Sequence, residues 1–328
     1  MGCKISILVP VYDVERYIER CARSLFEQTF KELEYVFVND CTPDKSIEIL
    51  KAVTNEYPQR RDTVKIVSHK RHRGPAAARN TAIDAAAGEF VCYVDSDDWI
   101  EPDAIDLLAT RQIDNDADMV SGNRTVHYPE KSDVFQEPKY QSKEAMTLQM
   151  MQHTWDHIIT GRLIRKSLFD DYGLRFNEGL DVAEDRYMMT LLAYHAGCFD
   201  TVDTVVYHYE RRNTNAITIG NDKNRVYTGN RQELENILVL KRFFEDKEDI
   251  FRKESTRCVI DQLRFNLNTA LADSSKKEFY KIVEEIDRSP DYGIKLASWQ
   301  KSYTLMRMNW LKGKTVRFIK KRLKTGVL

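Results

Sequence analysis

Four short apolar runs, Ile5–Val9, Tyr35–Val38, Val64–Ser68 and Phe90–Val94, recur within the first 94 residues. Each of the first three is followed by a stretch with helical character: Tyr17, Ile18, Cys21 and Leu25 after the first, Ile47, Ile49 and Leu50 after the second, and an alanine-rich segment from Ala76 to Ala87 after the third. A strand apolar on both faces must be covered on both faces, so this alternation predicts an α/β fold, a mostly parallel central sheet flanked by helices. Pro10 is expected to stop the first strand, and Thr42 with Pro43 reads as an N-cap followed by a first-turn proline.

In such sheets ligands bind beyond the carboxyl ends of the strands. All four strand ends carry conspicuous chemistry: Pro10-Val11-Tyr12-Asp13, Asn39-Asp40, the loop Arg71-His72-Arg73-Gly74, and Asp95-Ser96-Asp97-Asp98. They are predicted to converge on one cleft. Farther on, the pattern predicts a helix near 103–112, a strand near 118–124, a polar surface excursion over 127–143, helical spacing from 143 to 160, an amphipathic helix over 184–196 and a strand over 202–209. After about residue 225 the pattern is entirely helical, and no internal repeat is present.

Bulk properties exclude several classes. Apolar residues at 42% and charged residues at 31% are inconsistent with wholesale disorder. The 50 basic and 51 acidic residues leave no net field for non-specific nucleic-acid binding, so no nucleic-acid partner is expected. Cysteines 3, 21, 41, 92, 198 and 258 show no CxxC pair, which points to reduced thiols in a reducing cytosol. No apolar run reaches the 18 or so residues that span a bilayer, so neither signal peptide nor transmembrane helix is expected, and the predicted location is cytoplasmic. Met1-Gly2 with Ser6 formally fits an acylation pattern, but these residues lead straight into the first strand. Residues 301–328 hold nine Lys or Arg and no acid, interleaved with Trp310 and Phe318. That segment suits either peripheral contact with an anionic membrane face or a packed helix with a solvated basic side.

Several constellations carry chemistry. In Asp95-Ser96-Asp97 alternate side chains of an extended segment could share one divalent cation, Mn²⁺ or Mg²⁺; the other reading is an acidic turn capping a helix after Trp99. The Arg71–Gly74 loop, followed by a helix bearing Arg79-Asn80, could seat a pyrophosphate or be a basic surface loop. Asp40 could accept the imide N–H of uracil or cap its own turn. Glu184-Asp185 taken alone reads as an acidic pair complementing a helix N-terminus.

Taken together, ISILVPVYDVERYI, VNDCTPDKS, GPAAARN, GEFVCYVDSDDWIEPD and, downstream, FNEGLDVAEDRYM with VYHYERRNTNAIT resemble glycosyltransferase family 2, in that family's order, over about residues 4–218. The resemblance implies a GT-A fold and an inverting, metal-dependent transfer from a nucleotide sugar, UDP by default, to a glycan or lipid-linked acceptor. It implies that Pro10, Val11 and Tyr12 line the nucleoside pocket, that Asp40 bonds the base, and that His72, Arg79, Asp95 and Ser96 contact the donor. It further implies metal ligation by Asp97 with Asp95 and His208, and a catalytic Glu184-Asp185 pair with Asp185 as general base. The implied divisions are 1–105 for donor binding, 106–220 for the acceptor side and base, and 221–328 for a helical region serving acceptor or membrane. The sequence departs from the family at His72, where asparagine is common, and at Gly161-Arg162-Leu163, where lysine is. Two other classes compete: a sugar nucleotidyltransferase, disfavoured because residues 9–16 lack glycine, and a non-catalytic binding protein, disfavoured by the intact Asp97 and Asp185.

Overall fold

The computed structural model describes residues 4–152, 157–213 and 223–288, together with 302–304, 306–308 and 310–311. The chain divides into two compact units, Met1–Arg225 and Val226–Leu328.

In the first unit, β1 (Ile5–Val11), β2 (Leu33–Asn39), β3 (Val64–Ser68) and β4 (Phe90–Tyr93) are parallel and lie in the order β3-β2-β1-β4. The sheet then becomes mixed. β8 (Leu163–Arg165) runs antiparallel between β4 and β6 (Met119–His127); β9 (Phe199–Glu210) is parallel to β6; β5 (Trp99–Ile100) pairs antiparallel with β9 at the edge; and β7 (Ser132–Phe135) forms a hairpin on β6. The helices are α1 (Ile18–Phe26), α2 (Ser46–Glu56), α3 (Pro75–Ala85), α4 (Ala104–Asn115), α5 (Lys143–Met151), α6 (Ser167–Asp171) and α7 (Glu184–His195).

The core follows from the continuous apolar strands. Ile5, Ile7, Val9 and Val11 of β1 are fully buried in one cluster with Ile18, Cys21 and Leu25 of α1, each large aliphatic side chain contributing about 1.5–3 kcal/mol. α3 packs on β1 and β2, and its Ala76, Ala77, Ala78 and Ala82 are all buried. Methyl side chains let that helix approach the sheet closely.

Several local expectations are corrected. Pro10 does not end β1. The carbonyl of Leu8 accepts from Val94 N at 3.0 Å, so Leu8 faces β4, and Pro10, two residues on, faces the same side beyond the last β1–β4 pair, Leu8 with Tyr93. A missing N–H is harmless there. Thr42 is not a helix cap: α2 starts at Ser46, whose amide (3.0 Å) and hydroxyl (2.6 Å) donate to Asp44. Thr42 instead accepts from Asp13 N at 2.9 Å and donates to Asp44, tying the β1 end to the β2 end. Trp99 and Ile100 form a two-residue strand, and the helix expected after them is α4. Helical structure from 143 ends at Met151; residues 153–156 of that expectation lie outside the described residues.

The polar excursion over 127–143 contains β7 and a buried anchor. Glu137 accepts from Arg124 (2.7 Å) and Arg162 (2.5 Å), all three being buried.

α8 (Lys223–Phe243) starts just before the unit boundary, and in the second unit it, α9 (Asp249–Ala272) and α10 (Lys276–Arg288) bury Leu234, Ile237, Leu240, Val259, Leu263, Leu271, Phe279 and Ile282. Among the described residues no helix is long and apolar enough to cross a membrane, and Cys21, Cys41, Cys92, Cys198 and Cys258 are free thiols. Most of the basic segment 301–328 lies outside the described residues.

Candidate active site

A cleft of about 480 Å³ opens where β1, β2 and β4 end. Pro10, Val11, Tyr12, Asp40, His72, Arg79, Asp95, Ser96, Asp97 and Glu184 all border it. Asp185 and His208 are not on its wall.

Asp40, buried at the end of β2, organises one side. Its Oδ1 lies 2.6 Å from His69 Nδ1 and accepts from Arg73 N at 2.9 Å; its Oδ2 accepts from Gly74 N at 2.8 Å and lies 2.8 Å from His72 Nδ1. His69 is pinned from behind by Thr81 Oγ1 at 2.9 Å. The His72 ring stacks on Tyr12, with centroids 4.0 Å apart and planes inclined by 27°. Asp40 therefore holds the 71–74 loop, and His69, which carried no sequence signal, is its partner from below.

Arg79 is the hub of the opposite side. Its Nη2 donates to Asp95 Oδ1 at 3.0 Å, and its Nη1 lies 2.5 Å from Glu184 Oε1 and 3.2 Å from Asp185 Oδ1. Burial alone would lower the Arg79 pKa, but Asp185, Asp95 and Glu184 outweigh it and raise it. The neighbouring Asn80 braces the scaffold instead. Its side-chain amide donates to Phe176 O at 2.9 Å and accepts from Phe176 N at 2.8 Å, fixing the chain that leads to α7. Ala183, with φ of 58°, immediately precedes Glu184. A non-glycine residue in the left-handed region is costly, and such positions concentrate at functional sites.

Glu184 and Asp185 diverge. Glu184 faces the cleft, whereas Asp185 Oδ2 accepts from Ile159 N at 3.3 Å. Asp185 Oδ1 is buried and accepts no hydrogen bond, its contact with Arg79 being an ion pair only. Burial raises the pKa of both, against the opposing charge of Arg79.

Asp95, Asp97 and Asp98 crowd one strand end. Asp98 is wholly buried, accepts from Tyr207 Oη (2.5 Å) and Glu210 N (2.7 Å), and so clamps the acidic turn to β9. Arg20 adds a bond from Nη2 to the Asp97 carbonyl at 2.7 Å. Burial and the charge of Asp95 push Asp97 up to about 6, opposed by Asn213, which donates to Asp97 Oδ2 at 2.8 Å. Burial and the charges of Asp97 and Asp95 likewise raise Asp98. This mutual repulsion is what a divalent cation relieves, so the turn fits one. Among the described residues no three His, Cys, Asp or Glu side chains form a closed ligand set. Asp95 and Asp97 provide hard oxygens suited to a cation that takes its other ligands from phosphate and water.

Two expectations fail on geometry. His208 does not join the acidic turn: pairing of β5 with β9 sets it opposite Trp99, where it stacks at 4.8 Å and has Nε2 2.7 Å from Glu101 and Nδ1 3.1 Å from His127. The α3 N-terminus is not an open anion seat either. Asp181, to which the sequence alone assigns no role of its own, accepts from Ala76 N at 3.3 Å, and Arg73 pairs with Glu178 at 2.7 Å.

The family model described as glycosyl transferase family 2 matches residues 6–173, more than half of the chain, and the chain belongs to that family. The putative glycosyltransferase EpsH of Bacillus subtilis (strain 168) is 32% identical over 212 residues, 62% of this chain and 60% of that protein. Such matches span about three-fifths of the length of these curated relatives. The fold is of the GT-A type, similar to residues 1–349 of S. aureus TarS, solved in complex with UDP-GlcNAc (TM-score 0.62, 22% identity, covering 88% of this chain and 78% of that one). It is also similar to the mannosyltransferase PcManGT of Pyrobaculum calidifontis, solved with GDP-Man and Mn²⁺ (TM-score 0.54, 17% identity, 95% and 86% covered).

Proposed function

We propose that the chain is an inverting glycosyltransferase that moves a sugar, a hexose or N-acetylhexosamine, from a nucleotide sugar, preferably a UDP sugar, to a hydroxyl of a glycan or lipid-linked glycan. The observation that carries this reading is Asp185 Oδ1, a buried carboxylate oxygen that accepts no hydrogen bond. It is tied through one arginine to a carboxylate on the donor side of the cleft. A buried acceptor left without a donor is costly; Asp185 follows Glu184, which borders the cleft, and a turn of its side chain towards the cleft would bring Oδ1 to an acceptor hydroxyl.

In this reading Tyr12 stacks on the base, Asp40 takes its N–H, and Asp95 orients ribose or sugar. Asp97, with Asp95, would hold Mn²⁺ or Mg²⁺, which when bound neutralises charge on the departing diphosphate. Asp185 accepts the proton of the acceptor hydroxyl; its oxygen bonds to the anomeric carbon from the face opposite the diphosphate, whose C–O bond breaks. The raised pKa of Asp185 brings the base nearer to neutrality, where general-base assistance is worth about 10²- to 10⁴-fold. Arg79 fixes the distance between donor and base, so that the two reactants meet in one geometry.

The test is thermal shift with UDP, GDP and CDP sugars, with and without Mn²⁺, followed by release of nucleotide diphosphate. Asp185→Asn should keep donor binding and lose release by at least about 100-fold. Loss in Glu184→Gln with release retained in Asp185→Asn would instead make Glu184, which faces the cleft, the base. If no sugar nucleotide binds, the reading fails.

The basic composition of residues 301–328 supports peripheral contact with an anionic membrane, where a lipid-linked acceptor would reside. Deleting them should reduce co-sedimentation with anionic liposomes; unchanged sedimentation would refute the contact.

A further inference from the structure

We propose that His72 is an internal plug of the nucleobase subsite: its imidazole occupies the space between Tyr12 and Asp40 that a base takes, and donor binding requires the ring to swing out. The inference rests on the nucleotide-sugar reading of the cleft. It comes from the coincidence of two contacts on one planar ring. The face of His72 stacks on Tyr12 at 4.0 Å, and its in-plane Nδ1 lies 2.8 Å from Asp40 Oδ2. The contact with Asp40 is an ion-pair contact and not an aligned hydrogen bond; a uracil in the same place would meet the same two groups, one face on the tyrosine and an N–H free to align with the carboxylate.

The four positions around the Asp40 carboxylate differ in mobility. Two are backbone amides, of Arg73 and Gly74. A third is His69, whose side chain is 6% exposed and held on its far nitrogen by Thr81. Only His72, with a side chain 50% exposed, has solvent to move into. Asp40 can therefore receive a base N–H on Oδ2 when His72 leaves and without disturbing the loop, because the other three groups stay in place. A plug of this kind reduces apparent affinity in proportion to the fraction of molecules in which it is seated.

The experiment uses the full chain and three probes: UDP with Mn²⁺, uridine, and inorganic pyrophosphate with Mn²⁺ as a ligand without a base. His72→Ala is expected to tighten UDP and uridine by about three- to tenfold and to leave pyrophosphate unchanged. In parallel, the His72 ring protons, assigned by their loss in His72→Ala, should resonate upfield through the Tyr12 ring current, lose that shift in Tyr12→Leu, and move downfield at saturating UDP. UDP binding that is unaltered or weakened in His72→Ala, or a ring-current shift that persists at saturation, overturns the plug while leaving the nucleotide reading intact. If UDP, GDP and CDP bind neither the native chain nor the variant, the nucleotide reading itself fails and the plug with it.

Discussion

Arg79 donates from Nη2 to Asp95 Oδ1 at 3.0 Å while its Nη1 meets Glu184 and Asp185, so one side chain joins the strand end bearing the acidic turn to the start of α7. One guanidinium, itself buried, is thereby shared between Asp95 and the adjacent pair Glu184 and Asp185, which lie far from Asp95 in sequence. Each carboxylate is held where it is by the same positive charge.

Removing that charge strands the acids. Arg79→Met is expected to lower the unfolding free energy by about 3–5 kcal/mol, the usual cost of breaking a buried ion pair from one side. Urea denaturation measures it. Arg79→Lys keeps a charge but cannot fork between Asp95 and Glu184, so it should recover part of the stability and little of the activity.

Gly74 allows a second check on the same wall. Its φ is 90°, and a Cβ there would meet the Asp181 carboxyl oxygen without room for either. Because Gly74 N is one of the Asp40 donors, Gly74→Ala should both destabilise, by about 1–3 kcal/mol from backbone strain, and weaken UDP binding. A variant that melts and binds like the native chain would contradict this.

The pH response of Asp97 has a defined sign. Its carboxyl titrates near 6 in the folded protein against an ordinary 3.8, so the native state takes up this proton before the unfolded chain does. Its contribution to stability is therefore unfavourable above pH 6 and improves as pH falls from 6 towards 4, by at most about 3 kcal/mol. In metal-free buffer with chelator, the thermal midpoint of the native chain should gain on that of Asp97→Asn as pH falls from 7.5 to 5. Added Mn²⁺ should stabilise the native chain more at pH 7.5 than at 5, because cation and proton compete for one carboxylate.

Much of this site was legible because it sits where unbroken apolar strands end. The β1, β2 and β4 runs locate Tyr12, Asp40 and Asp95 without any knowledge of tertiary contacts, since parallel strands put their carboxyl ends together. What sequence could not convey was which groups each charge would meet. Asp181, although inside a recognised motif, and His69, just past a strand, act through partners that sequence does not pair with them, Ala76 for the first and Asp40 and Thr81 for the second. His208 looks like a ligand by proximity to the motif in the family, yet a two-residue strand, Trp99–Ile100, too short to register as a pattern, turns it away. Pro10 misleads because its effect depends on which neighbour strand has already ended.

Glu137 offers the sharpest test of a feature that composition concealed. In a segment that reads as a solvated excursion, it is buried between Arg124 and Arg162. Burial alone would raise its pKa, but the two arginines outweigh it and hold it below the ordinary 4.5. The stability it contributes is accordingly complete above pH 4.5 and lost as pH falls through its lower folded value. Glu137→Gln leaves both guanidinium groups without their carboxylate and should cost about 3–5 kcal/mol at pH 7. Removing all three charges together, as Arg124→Met, Glu137→Leu and Arg162→Met, should cost much less, because hydrophobic replacement of a whole buried ion cluster is often neutral. Urea midpoints at pH 7 compare the two, and a triple variant no more stable than Glu137→Gln would show that the cluster stabilises through its hydrogen bonds and not merely through charge balance.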